Sequence, residues 1–285
     1  MTYYGRVSPD DIHAAYVFDL DGTVYVDDHL VPGAAATIAE LRARGARVAF
    51  LTNKPLELPA DYAAKLTRLG IPATAADVVS STDALLLYLR EHAAGARVHV
   101  VGEPTLVDLV RDAGFVLSEE PGAIDVVVVS FDRTFDYQKL LLAFRAVRAG
   151  ARIVATNPDP FCPTADGGLP DCGALLAALE VATGRRAEAV VGKPSGYMAR
   201  AVLERLGVSP DRAALVGDRL LTDVRMAREV GMTSILVLTG ATSRDDLDDA
   251  GLRPDLVLPD ITGLVRGPGP AGVPAPAGVP APAEP

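Results

Sequence analysis

Strand-sized apolar runs alternate with helix-length Ala/Leu-rich stretches along almost the whole chain, and this alternation leaves few folds open. Residues 16–18, 47–51, 98–101, 126–129, 153–155, 189–191, 213–216 and 234–238 read as strands. Residues 34–44, 60–69, 82–92, 105–113, 137–149, 173–183, 196–206 and 223–230 read as helices, with Gly45 and Gly70 closing the first two. Strand and helix in turn mean a parallel sheet covered on both faces, an α/β fold. The alternation restarts after Ser80, so the middle of the chain is expected to form a small α/β layer of its own. Residues 267–285 repeat Pro-Ala-Gly-Val-Pro-Ala and are expected to be a disordered tail.

The most telling interruption is Asp19-Leu20-Asp21-Gly22-Thr23, where the first strand ends. Two carboxylates two residues apart on a chain leaving a strand point the same way. One can attack phosphorus while the other shuttles a proton. Gly22 permits a tight turn that presents backbone N–H groups to a phosphoryl group. The bland alternative is a polar turn.

Three further segments sit at or beside strand ends, where open α/β sheets place their ligands. Thr52-Asn53 offers a hydroxyl and an amide to phosphoryl oxygens, although alone it reads as well as a turn or helix cap. Lys193, in Gly192-Lys193-Pro194-Ser195, offers a fixed positive charge to a transition state, although alone a solvated lysine is the simpler reading. In Gly217-Asp218-Arg219-Leu220-Leu221-Thr222-Asp223, Asp218 is a hard oxygen ligand suited to Mg²⁺. Asp223 stands where it can orient a metal-bound water or Lys193, or else cap a helix.

Composition narrows the alternatives. A net charge of −10 disfavours broad binding to nucleic acid or anionic lipid, while leaving room for a small phosphate carried with a cation. No apolar run approaches the length of a membrane span, and no basic flank with an apolar segment opens the chain, so a cytoplasmic protein is expected. Cys162 and Cys172 form no CxxC pair, and His13, His29, His92 and His99 show no ligand spacing, so zinc is not expected.

Taken in order, the four segments resemble the signature of the haloacid dehalogenase-like hydrolases, over nearly all of residues 14–266. The resemblance implies a Rossmann-like parallel-sheet core built from residues 1–80 and 187–266, with an inserted α/β cap at 81–186. It places the nucleophile on Asp19 and the acid/base on Asp21. It places phosphate binding on Thr52, Asn53 and Lys193. A Mg²⁺ site falls on Asp19, Asp21 (through its backbone carbonyl), Asp218 and, indirectly, Asp223. The long block between Thr52 and Lys193 looks like the cap of the class IIA phosphatases, the NagD-like and p-nitrophenylphosphatase-like group. Supporting strings are Phe131-Asp132-Arg133-Thr134-Phe135-Asp136-Tyr137, Ala155-Thr156-Asn157-Pro158-Asp159 and Cys172-Gly173-Ala174-Leu175. Residues 150–191 look especially like the sugar-phosphatase members, and caps of this kind often mediate homodimers in the family.

Two departures stand out. Members often carry a second Asn and then Ser or Pro after the Thr-Asn or Ser-Asn pair, whereas Asn53 is followed by Lys54-Pro55; Lys54 either faces the pocket or is solvated. Related pyridoxal-phosphate phosphatases carry a His in the cap loop where Pro160-Phe161-Cys162-Pro163 stands, which argues against a pyridoxal substrate. The expected activity is hydrolysis of a small phosphomonoester through an aspartyl-phosphate. Asp159, Cys162 and Asp171 are the cap candidates for meeting the leaving group, and hydroxyls on a sugar or cyclitol phosphate suit the two acids. Asp171 is equally placed to cap the helix after it. A nucleoside monophosphate is the alternative substrate, and a non-catalytic sugar-phosphate binder the alternative from another class.

Overall fold

The computed structural model describes residues 2–3, 13–55, 57–162, 168–249 and 251–265; the expected tail at 267–285 and part of the cap loop before Asp171 lie outside them. Two sheets organise the chain. The larger has seven strands in the order Thr2–Tyr3, Leu256–Leu258, Thr233–Val237, Ala213–Gly217, Ala15–Asp19, Arg47–Thr52 and Val78–Ser80. All its neighbours run parallel except the first pair. The second has five parallel strands in the order Ala189–Val190, Arg152–Ala155, Val126–Val129, Arg97–Val101 and Val116–Leu117.

The central strands are buried along their whole length because helices cover both faces of a parallel sheet. Helices Ala34–Ala43 and Pro59–Arg68 pack Ile38, Leu41 and Leu66 against Phe18, Phe50 and Val216 on one face of the large sheet. Helices Ser81–His92, Gly196–Leu206 and Arg225–Val230 cover the other. That second apolar cluster does not stop at the sheet. Through Leu85 and Leu89 it runs on to Val98, Val100, Val126 and Val154 of the five-stranded sheet. Helices Tyr137–Ala149 and Cys172–Thr183 close that sheet's far face.

The pairing of Ala189–Val190 differs from the sequence reading. Read with the last block, it instead closes the five-stranded sheet against Arg152–Ala155, so the return to the large sheet falls after Val190 rather than near residue 187. Helix Ser81–His92 also reaches across: Asp83 pairs with Arg205, and the His92 ring meets the Tyr197 hydroxyl at 2.8 Å.

Within the large sheet, Ala15–Asp19 and Ala213–Gly217 are neighbours, yet the chain leaves them toward opposite edges, to Arg47–Thr52 and to Thr233–Val237. This is a topological switch point, and a crevice opens at the carboxyl ends of its two strands.

Candidate active site

Asp19 ends one switch-point strand, and Asp218 follows the other. Lys193 enters from the loop after Val190, and its Nζ contacts Asp19 Oδ1 and lies 2.7 Å from Asp223 Oδ1. All four side chains are buried. Asp223 reaches its place by a route the sequence does not announce. Residues Leu220–Val224 form a π-helical turn ahead of helix Arg225–Val230, and the Asp223 Oδ2 accepts the Arg219 N–H at 3.2 Å, which leaves Oδ1 for Lys193.

Burial works against the Lys193 ammonium, but Asp19 and Asp223 outweigh it and raise its pKa, so the lysine stays charged. Burial also pushes the Asp19 carboxyl well above the usual carboxylate range; Lys193 pulls it down, while Asp223 and Asp218 push it further up. Asp218 is raised by burial first and by Asp223 second. Three buried acids thus lie around one lysine, a charge balance that would suit a divalent cation.

The donor set fits such an ion. Asp19, Asp218 and Asp223 each offer an oxygen within 4.8 Å of the others. Asp218 Oδ2 accepts the Ala241 N–H at 2.6 Å, whereas its Oδ1 is buried with no hydrogen-bond partner among the described residues. The wall around it is glycine by necessity: Gly22 has φ +84°, and a Cβ there would stand 2.6 Å from Asp218 Oδ2.

The other expected residues gather on the same cleft, which is lined by Asp21, Thr52, Asn53, Asp159, Cys162 and Asp171 among others. Their roles are not uniform. Thr52 is buried at its strand end and accepts the Lys54 N–H at 3.1 Å. Asn53, expected at the phosphate, is committed to protein partners: its Oδ1 accepts the Lys193 N–H at 2.7 Å, and its Nδ2 donates to the Lys193 carbonyl at 3.2 Å and to Asp159 at 3.1 Å. It ties loops together. Asp171 caps helix Cys172–Thr183 through Oδ1, which accepts the Cys172 N–H and, at 3.3 Å, the Asn157 amide; its carboxyl lines the cleft, and burial raises its pKa. The Cys162 thiol is pushed up by burial, with Lys54 opposing.

Sequence reasoning passed over Arg219, Thr222 and Asn157. The first two line the cleft. Asn157 follows a strand as Thr156-Asn157, just as Thr52-Asn53 does, and that repeated pair was the available signal. Lys54 faces the cleft, with its Nζ 3.1 Å from Asp21 Oδ2.

The sequence profile described as Haloacid dehalogenase-like hydrolase matches residues 16–116, and a second profile of haloacid dehalogenase-like hydrolases matches residues 190–264. The sugar-phosphatase AraL of Bacillus subtilis is 37% identical over 248 residues, covering 87% of this chain and 90% of its own. This chain is a haloacid dehalogenase-like hydrolase. Among solved structures, the 4-nitrophenylphosphatase of Thermotoga maritima superposes on this hydrolase with a TM-score of 0.84 at 36% identity, over 88% of this chain and 96% of that one. The glycerol phosphate phosphatase of Mycobacterium tuberculosis, solved in complex with magnesium, gives 0.84 at 34% identity over 92% and 79%. With these relatives the hydrolase falls in the class IIA group, and it is a phosphoric monoester hydrolase.

Proposed function

We propose that this hydrolase is a Mg²⁺-dependent phosphatase of small polyhydroxylated phosphate monoesters, sugar or cyclitol phosphates, working through an aspartyl-phosphate on Asp19. The observation that carries the reading is Lys193 held between Asp19 and Asp223, next to an Asp218 oxygen that has no partner among the described residues. The relatives named for sugar and glycerol phosphates support the substrate class.

Asp19 attacks phosphorus in line, forming a new P–O bond as the ester bond breaks. The ester oxygen keeps the electron pair and takes a proton from Asp21. Water then gives its proton to Asp21 and attacks phosphorus, returning Asp19 as carboxylate and releasing inorganic phosphate. Lys193 neutralises phosphoryl oxygens, and Thr52 lies at the same strand ends to position them. Asp223 keeps Lys193 aimed. Asp19 and Asp218, with the Asp21 carbonyl that the family uses, would hold Mg²⁺, which when bound supplies positive charge to the phosphoryl group.

These core groups all serve the phosphoryl end, which leaves the segment at 81–186 to meet the leaving group and choose the substrate. Asp171 faces the cleft there while capping its helix, so it has two roles to lose. Asp171→Ala is expected to cost about 1 kcal/mol of stability as a lost cap. It is also expected to cost tenfold to hundredfold (about 1.5–3 kcal/mol) in kcat/KM on a polyol phosphate, with a far smaller loss on p-nitrophenyl phosphate.

The test of the whole reading is a turnover panel of sugar phosphates, cyclitol phosphates, nucleoside monophosphates and p-nitrophenyl phosphate, with Mg²⁺ and with EDTA. Polyol phosphates should lead with Mg²⁺ and all activity should vanish in EDTA. A preference for nucleotides would overturn the substrate class, and full activity in EDTA the metal.

A further inference from the structure

The Asp21 carboxyl is 40% exposed and stands at the mouth of the cleft, unlike the buried Asp19 behind it. Among the described residues, its one ion-pair or hydrogen-bond partner is Lys54, whose Nζ is 3.1 Å from Oδ2. A proton donor in this position must be delivered to within hydrogen-bond reach of the leaving oxygen, and a misplacement of about 1 Å can cost about 10²-fold in rate.

Lys54 is itself anchored. Its N–H donates to Thr52 Oγ1 at 3.1 Å, and its carbonyl accepts the Tyr62 hydroxyl at 3.2 Å. Thr52 and Tyr62 are both buried. The lysine stem therefore leaves a fixed backbone, and its ammonium ends between Asp21 and the Cys162 side of the cleft.

We infer that Lys54 is the positioning residue for Asp21, holding its carboxyl where it hands a proton to the leaving oxygen. The inference rests on the phosphatase reading above and adds the link from the second strand-end motif to proton transfer. As the P–O bond to the leaving group breaks, an alkoxide must be protonated, whereas p-nitrophenolate leaves as a stable anion with little need of the proton. A partly exposed ion pair contributes little to stability, so removing it should leave the fold intact.

The test compares Lys54→Met, Lys54→Gln and Lys54→Arg with wild type, each with Mg²⁺, on glycerol phosphate and on p-nitrophenyl phosphate. The Met and Gln variants are expected to lose about tenfold to hundredfold in kcat on glycerol phosphate with little change in KM, because general acid catalysis is worth roughly 10²–10⁴-fold and only its aim is disturbed. Their loss on p-nitrophenyl phosphate should be much smaller, and that retained turnover shows that they fold. Lys54→Arg should recover most of the rate. Along a series of aryl phosphates, kcat should depend more steeply on leaving-group pKa in Lys54→Met than in wild type. Equal losses on both esters, a loss confined to KM, or no loss would overturn the assignment of Lys54 alone. A wild-type enzyme that turns over neither ester would bring down the phosphatase reading and this inference together.

Discussion

Asn53 Nδ2 donates to Asp159 Oδ2 at 3.1 Å, across 106 residues of chain, and so joins a strand end of the large sheet to a loop of the small one. The same amide grips the Lys193 backbone on both sides, accepting its N–H and donating to its carbonyl. The two halves of this arrangement should separate by mutation. Asp159→Ala removes only the inter-sheet bond and should leave kcat on p-nitrophenyl phosphate within about threefold. Asn53→Ala also frees the Lys193 loop and should lower kcat by about tenfold or more. A double-mutant cycle on stability should give a coupling of about 1 kcal/mol. Strictly additive losses would mean that the bond carries nothing.

Asp218 should report the metal without any catalysis. Its unpartnered oxygen and its acidic neighbours make the carboxylate a cost to the protein alone, so Asp218→Asn should melt slightly above wild type in EDTA, by roughly 1 kcal/mol. Magnesium at about a hundred times its dissociation constant should stabilise wild type by about 2.7 kcal/mol and the variant hardly at all. Melting curves in EDTA and across a Mg²⁺ titration read both effects. An equal Mg²⁺ response in the two proteins would remove Asp218 from the site.

Cys172 gives a pH signature away from the reacting atoms. Burial pushes its thiol up to about 11 from an ordinary value of 9.0. Between these two values the unfolded chain has lost the proton and the folded one keeps it, so stability is full below pH 9 and falls as pH rises toward 11. The loss over that window is about 3 kcal/mol. Denaturation of wild type and Cys172→Ala at pH 8 and pH 11 isolates it, since other high-pH titrations are common to both. Wild type should lose its advantage over the variant by about that amount; parallel curves would mean the thiol titrates freely.

The gathering of Asp19, Asp21, Lys193 and Asp218 was legible in the sequence because each part is local. Asp19-Leu20-Asp21 sits on one strand end, Asp218 on another, and the apolar run before each fixes where the side chains emerge. What stayed hidden depends on partners far along the chain. Asn53 looks like a phosphate ligand until Asp159 and Lys193 occupy its amide. Asp223 reads as orienting a metal-bound water or Lys193 or as capping a helix, and what decides for Lys193 is a π-helical turn for which Leu220-Leu221-Thr222 gives no periodic signal. The strands Val78–Ser80 and Leu256–Leu258, three residues each, and the two-residue Ala189–Val190, are too short to show an alternation, so sheet membership there is decided by packing alone.

Asp19 is the group proposed to take the phosphoryl. Asp21→Asn removes the base for the second step while p-nitrophenolate still leaves readily in the first, so the phosphorylated enzyme should build up in that variant. The direct measurement is an acid quench of Asp21→Asn within one turnover of p-nitrophenyl phosphate with Mg²⁺, followed by peptide mass spectrometry. The expected result is a burst of p-nitrophenolate matching the enzyme concentration and a phosphoryl group on the peptide that contains Asp19, both absent from Asp19→Asn. Steady turnover with no covalent phosphate, or phosphate on another residue, would contradict it.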